Sequence, residues 1–139
     1  MSEMLTAPRP VFDSLVGTCA TRRHVVGPRD LATAWDNDVE VLATPVLLWL
    51  SEVTAMDVLG DHLGAAWMTV GLNHDSAHVA PTPAGEEITV TATLTEADGK
   101  LLTFAVEARD SEAVILRGMH GRAVINREKF LTKLAERGA

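Results

Sequence analysis

Residues 42–63, Leu-Ala-Thr-Pro-Val-Leu-Leu-Trp-Leu-Ser-Glu-Val-Thr-Ala-Met-Asp-Val-Leu-Gly-Asp-His-Leu, constrain the chain more than any other stretch. Thr44-Pro45 reads as a helix start: a Thr hydroxyl can cap an orphan backbone N–H, and proline at the first helical position sacrifices no hydrogen bond. Gly60 marks the exit. Between them Val46, Leu47, Leu48, Trp49, Leu50, Val53, Ala55, Met56, Val58 and Leu59 cover most of the circumference instead of one stripe. Such a helix must be wrapped by other elements. At roughly sixteen residues it runs about 24 Å, short for a bilayer, and it carries Glu52 and Asp57. It reads as the buried helix of a globular domain, with no membrane partner.

A chain of 139 residues fits one domain able to bury about two thirds of its unfolded surface. We read residues 1–11, with Pro8 and Pro10, as a loose arm and 12–139 as a single domain. The N-terminus lacks the apolar run of a signal peptide, so a cytoplasmic location is expected. The single cysteine, Cys19, excludes an intrachain disulfide, argues against a zinc site and reads as a buried structural thiol. The net charge of −7 argues against nucleic-acid binding. From Arg117 onward, however, six basic residues face only Glu128 and Glu136, a local balance of +4. That asymmetry suits an anionic small ligand, or simply a solvated tail.

The remaining elements follow from periodicity. Phe12–Val26 is rich enough in β-branched residues to hold a strand, broken by Gly27-Pro28. An acidic connection then carries Trp35, which covers either the core or a ligand entrance. After the helix, 65–74 alternates Ala66, Met68, Val70, Leu72 and His74 against Trp67, Thr69, Gly71 and Asn73. The Pro81-Thr82-Pro83-Ala84-Gly85 cluster interrupts pairing. Ile88, Val90, Ala92 and Leu94 then alternate with four threonines, the period of a half-buried strand. Asp98-Gly99 predicts a hairpin turn into a partner strand with Leu102, Phe104, Val106 and Ala108 on one face. A last strand covers 114–125, with His120 and Arg122 on one face beside Leu116 and Val124, as ligand contacts or an interface pair. Asn126 can cap a short helix that turns Phe130, Leu131 and Leu134 inward. Strand, helix, four hairpin-linked strands and a terminal helix make an α+β chain: one antiparallel sheet curled around one long helix, the hotdog architecture, which normally dimerises.

Three residue types invite chemistry. Glu52 sits among apolar neighbours, where a carboxylate must be paired, protonated or facing a cleft; it is either a solvent- or interface-facing residue or a general base or nucleophile. Thr44 precedes it by two helical turns, about 12 Å of rise, so the two flank one ligand only by reaching along the helix or from different subunits. His74 and His78 are four apart on a strand, about 13 Å, too far to share a metal. A single histidine acting as acid or base is the stronger expectation.

Taken together, Ala-Thr-Pro-Val-Leu-Leu-Trp-Leu-Ser-Glu at 43–52, Gly71 seven residues before His78, His-Val-Ala-Pro-Thr-Pro-Ala-Gly at 78–85 and His-Gly-Arg-Ala-Val-Ile-Asn-Arg-Glu-Lys-Phe at 120–130 resemble the fluoroacetyl-CoA thioesterase-like branch of the hotdog thioesterases. The resemblance covers roughly residues 12–135. It implies a homodimer that hydrolyses a small acyl-CoA thioester, with Thr44, Glu52 and His78 as the catalytic residues and Gly71 and Arg122 lining the substrate site. Trp35 and His120 are added as candidate substrate contacts. No metal and no resident cofactor are implied, since coenzyme A is part of the substrate. One departure lies before the helix: Trp35 replaces one aromatic residue of a lid, but Asp38 stands where a second falls, so the resemblance does not carry fluoroacetyl selectivity with it.

Thioester chemistry suits these residues. The leaving thiolate, of pKa about 8.5, needs little protonation, so the demands are a nucleophile and a stabilised oxyanion. His78 would act as base or orienter, Glu52 would activate water or attack directly, and Thr44 would hold the reacting groups. The oxyanion would rest on N–H groups near Gly71 or the helix start, and the coenzyme's phosphates on Arg122 and its C-terminal neighbours. A hotdog hydratase would need Asp, then Asn-Pro, then His five residues after the Asp; Asp75 precedes His78 by three, with no Asn-Pro between. A non-catalytic acyl-CoA sensor or binding module is the remaining alternative.

Overall fold

The structure, a computed structural model, describes residues 3–139. Element order is α1 (Glu3–Thr6), β1 (Cys19–Val25), α2 (Thr44–Leu59), β2 (Trp67–His78), β3 (Glu87–Asp98), β4 (Leu101–Arg109), β5 (Val114–Asn126) and α3 (Arg127–Gly138). The five strands form one antiparallel sheet in the order β1-β3-β4-β5-β2, with β1 and β2 at its edges. The sheet curls around α2, as the succession of strands and helix predicts; this is the hotdog fold. The core lies between them: Leu47, Leu50, Ala55 and Leu59 of α2 pack against Ile88, Val90 and Leu94 of β3, Leu102 and Phe104 of β4 and Leu116 of β5. No helix among the described residues is long and apolar enough to cross a membrane.

The helix begins and ends where Thr44-Pro45 and Gly60 suggest, Gly60 adopting φ 50° at the exit. Its wrapping is less complete than its composition predicts. Trp49 is 50% and Met56 39% exposed, whereas Ser51 and Thr54 are fully buried. The hydroxyls of Ser51 and Thr54 donate back to the Leu47 and Leu50 carbonyls at 2.8 and 2.6 Å, which lets polar residues face the core.

Other expectations need correction. Residues 13–15 form a 3-10 turn, and β1 starts only at Cys19. Cys19 is exposed, because β1 is an edge strand whose inward positions are Ala20, Arg22 and His24, set by its pairing with β3. The N-terminal arm contains a helical turn, and Met4 O accepts from Asn126 Nδ2 at 2.7 Å. Asn126 caps α3 as expected, accepting from Lys129 N at 3.0 Å. But α3 lies on the periphery and buries no residue: Phe130, Leu131 and Leu134 are 37%, 49% and 56% exposed.

The faces of β2 also differ from the alternation read in its sequence. Trp67, Thr69 and Gly71 pair with Asn126, Val124 and Arg122 on the helix-facing side, then the register shifts between Gly71 and Asn73. Past that bulge His74, Ser76 and His78 pair with His120, Gly118 and Leu116, so the even-numbered residues now face the helix. One extra residue, Leu72, reverses the parity of the strand.

Candidate active site

Thr44, Leu48 and Glu52 recur at four-residue spacing and therefore share one stripe of α2. Opposite runs the inward face of β2. The Thr44 hydroxyl and His78 Nδ1 are 2.7 Å apart. Eight residues along the helix, about 12 Å, Glu52 meets the other end of the same strand face. There its Oε2 lies 3.9 Å from His74 Nε2 and its Oε1 accepts from Arg122 Nη1 at 3.1 Å. Four residues of strand, from His74 to His78, also measure about 13 Å. Helix and strand thus carry two rungs of a ladder, Thr44–His78 and Glu52–His74.

Thr44 does not cap the helix. Ala43 holds the cap position and no side chain caps there; Thr44 is already the first helical residue, which frees its hydroxyl for His78. Burial lowers the His78 pKa, and an interaction with the Ala80 backbone opposes it. That interaction does not amount to a hydrogen bond, and Nε2 stays buried without a partner. The ring is therefore held neutral at physiological pH, the state in which a histidine can accept a proton. A cavity of about 460 Å³ opens beside this rung, lined by Thr44, His78, Trp35, Asn37, Val41 and Pro81. Trp35 is 51% exposed and its indole donates to the Arg29 carbonyl at 3.2 Å, so it borders the cavity and does not cover the core. Asp38 is exposed.

The second rung is a network. Arg122, 4% exposed, donates through Nε to the Thr69 hydroxyl at 2.9 Å, through Nη2 to the Thr69 carbonyl at 3.2 Å and through Nη1 to Glu52. Nη1 also lies 3.1 Å from His120 Nε2. His120 is fully buried and its Nδ1 is 2.9 Å from the Asn73 carbonyl. A carbonyl only accepts, so Nδ1 carries the proton and Nε2 presents its lone pair to the guanidinium. Burial, with His74 and Arg122 nearby, holds the His120 pKa down against the pull of Asn73 and Glu52. Burial lowers the Arg122 pKa also, against Glu52. His74 stacks on His120 with ring centroids 4.1 Å apart. Gly71 matters here because a β-carbon at that position would collide with Glu52 Oε1.

Ligand atoms of Glu52, His74 and His120 lie within 4.8 Å of one another. A divalent cation among them would stand beside the Arg122 guanidinium, which already satisfies both Glu52 and His120. Among the described residues, the positive charge set against this cluster is the Arg122 guanidinium.

Of the residues singled out in the sequence, Thr44 and His78 meet at one rung and Glu52, Gly71, Arg122 and His120 at the other, with Trp35 beside the first. Arg122 is too deeply engaged to receive a phosphate. Sequence reasoning missed Thr69, whose hydroxyl and carbonyl aim Arg122, and weighed His74 as a metal ligand or a lone acid–base histidine but not as a neighbour of Glu52. The register shift in β2, which brings His74 inward, has no mark in the residue pattern.

Comparison with known proteins points the same way. The profile of a family described as fluoroacetyl-CoA-specific thioesterase matches residues 26–128. The fluoroacetyl-CoA thioesterase of Streptantibioticus cattleyicolor is 35% identical over 98 residues, 70% of either chain. A mutant of the fluoroacetyl-CoA thioesterase in complex with acetyl-CoA superposes with a TM-score of 0.83 at 30% identity, over 89% of this chain and 98% of that one. A hot-dog-like protein from Thermanaerovibrio acidaminovorans has a TM-score of 0.85 at 23% identity, over 92% and 97% of the two chains, a likeness of fold.

Proposed function

Because the chain belongs to the fluoroacetyl-CoA-specific thioesterase family and is thus a thioester hydrolase, we propose that it cleaves a small acyl-CoA to the free acid and CoA using Thr44, Glu52 and His78. The observation that carries this reading is the pair of rungs. A hydroxyl–imidazole pair at 2.7 Å and a carboxylate held at 3.1 Å by a buried arginine lie on one helix stripe, opposite one strand face.

In this reading the acyl thioester enters beside Trp35 and lies between α2 and β2. Glu52, with Oε1 fixed by Arg122, removes a proton from the attacking water or adds to the carbonyl carbon itself. The tetrahedral intermediate collapses with loss of the CoA thiolate. Where Glu52 deprotonates water, that proton passes through His78, neutral and oriented by Thr44, to the departing thiolate. Where Glu52 adds to the carbon, the acyl anhydride left after thiolate loss is hydrolysed by a water whose proton goes to His78 and then to the thiolate, which frees the acid and restores Glu52. The positive end of α2 at Thr44 favours the developing negative charge. The phosphates of CoA find their cations away from Arg122: Arg9, Lys100, Lys129 and Lys133 line a groove of about 790 Å³ together with Trp67 and Phe130.

The functional unit in this proposal is a homodimer. β2 is a twelve-residue edge strand with an open side, on which Leu72 is 56% exposed, and Trp49 and Met56 of α2 are uncovered. Such an edge seeks another strand. Two β2 strands pairing antiparallel would bring the Glu52 rung of one protomer close to the Thr44–His78 rung of its partner, answering the separation of about 12 Å along one helix.

Thiol release from a series of acyl-CoA esters graded by length and substitution tests the activity, with sedimentation to measure the assembly. Rapid release that is lost in Glu52→Gln and in His78→Ala supports the assignment. Stoichiometric binding of acetyl-CoA without release would make the protein a binding module instead.

A further inference from the structure

Four buried side-chain polar atoms among the described residues have no hydrogen-bond partner: Trp67 Nε1, His74 Nδ1, Ser76 Oγ and His78 Nε2. All four belong to the inward face of β2. Buried polar groups are nearly always satisfied, so each atom of this row calls for a partner from outside the chain, water or ligand. His78 belongs to the catalytic rung. His74 and Ser76 lie between that rung and Glu52 or beside Glu52, on the strand that faces the helix across the site.

We propose that His74 and Ser76 make the acyl end of the site polar, so that it selects a short acyl group carrying a neutral hydrogen-bonding substituent, a hydroxyl or carbonyl, over a plain alkyl acyl of the same size. This rests on the thioesterase reading above. The other polar atoms of the cluster are already engaged: Arg122 by Thr69, Glu52 and His120, and His120 by Asn73 and Arg122. His74 Nδ1 and Ser76 Oγ are the groups left to greet a substrate.

Ser76 approaches its neighbour strand closely because position 118 is glycine; a β-carbon there would collide with the Asp75 carbonyl and crowd the Ser76 Cα and Oγ. His74 is held upright by its stack on His120. Both groups are thus fixed before any ligand arrives, which is what discrimination by hydrogen bonding requires. A neutral substituent is favoured over an acidic one because Glu52 already supplies a carboxylate whose one close cation, Arg122, it uses.

The matched probes are glycolyl-CoA and propionyl-CoA, which differ by a hydroxyl in place of a methyl group. A site with unpaired polar groups penalises the methyl, so kcat/KM for glycolyl-CoA exceeds that for propionyl-CoA by about tenfold to a hundredfold. In the double variant His74→Phe/Ser76→Ala, where the ring stack survives without ring nitrogens or hydroxyl, the ratio falls to about one or below. Because both esters are measured on the same variant, general damage to the site cancels. Thermal denaturation provides the second arm: removing unpaired buried polar atoms leaves Tm unchanged or raises it. A wild-type ratio of one or less, or a ratio that survives the double variant, overturns the proposal. Absence of thiol release from every ester overturns the thioesterase reading and this with it, and is recognisable because it yields no ratio at all.

Discussion

The carboxylate of Glu52 rests against the bare α-carbon of Gly71, which leaves no room for a side chain at that position. Alanine there would push away the flexible end of Glu52 without disturbing backbone. Gly71→Ala should therefore fold normally, with a circular dichroism spectrum like that of the parent, while kcat/KM falls about a hundredfold if the displaced Glu52 carboxylate acts on the substrate as proposed. Wild-type turnover in this variant would remove Glu52 from the chemistry.

The Thr44 hydroxyl holds His78 from a helix position where it caps nothing. Thr44→Val, of equal shape, should keep its thermal stability but lose about tenfold to a thousandfold in kcat, and Thr44→Ser should recover most of the loss. Equal activity in the two variants would show that the hydroxyl does not orient the imidazole.

His78 and His120 both have pKa values below the ordinary 6.5, chiefly through burial. The fold prefers their neutral forms, so the unfolded chain binds more protons as pH falls through 6.5 and stability declines in that direction. Unfolding by urea at pH 5 and pH 7.5 should give the lower midpoint at pH 5, in the parent more than in His120→Gln. For activity, the acid limb of kcat/KM should lie below 6.5, and a limb at 7 or higher would contradict a neutral His78.

Arg122 is 4% exposed and Glu52 is its carboxylate partner, itself 35% exposed in its side chain. Glu52→Gln retains an acceptor but removes the charge, so the guanidinium becomes an uncompensated buried cation. With the exposure of Glu52 discounting the loss, about 1 kcal/mol of stability should disappear. Activity should fall far more steeply, about a thousandfold. Chemical denaturation beside a thiol-release assay separates the two effects.

Much of this organisation could be read from residue order. The ends of α2, the threonine-alternating β3, the Gly99 hairpin and the Asn126 cap are local signals, set by φ preferences and short-range hydrogen bonds, and they appear where expected. The faces of β5 were also legible, because no bulge interrupts its inward run from Leu116 to Val124. Burial at the margins was not. Cys19, Phe130 and Trp49 look like core residues by type, but each lies where the sheet or helix has no further layer over it. Likewise Thr44 read as a helix cap or as a site residue. Ala43 takes the cap position, and the Thr44 hydroxyl meets His78 on a strand that returns 34 residues later, a contact no local signal reveals.

The shifted register at Leu72 gives the site an unusual genetic fragility. Loss of that single codon in frame would leave net charge, composition and hydropathy almost as they were, and a hydropathy plot would scarcely notice. Yet the ladder would straighten, and either His74, Ser76 and His78 or Trp67, Thr69 and Gly71 would swing to the far side of the sheet. Substitutions in β2 are graded injuries, whereas a length change of one residue is all or nothing; related chains that keep this chemistry should vary in spelling between Gly71 and His78 but not in count.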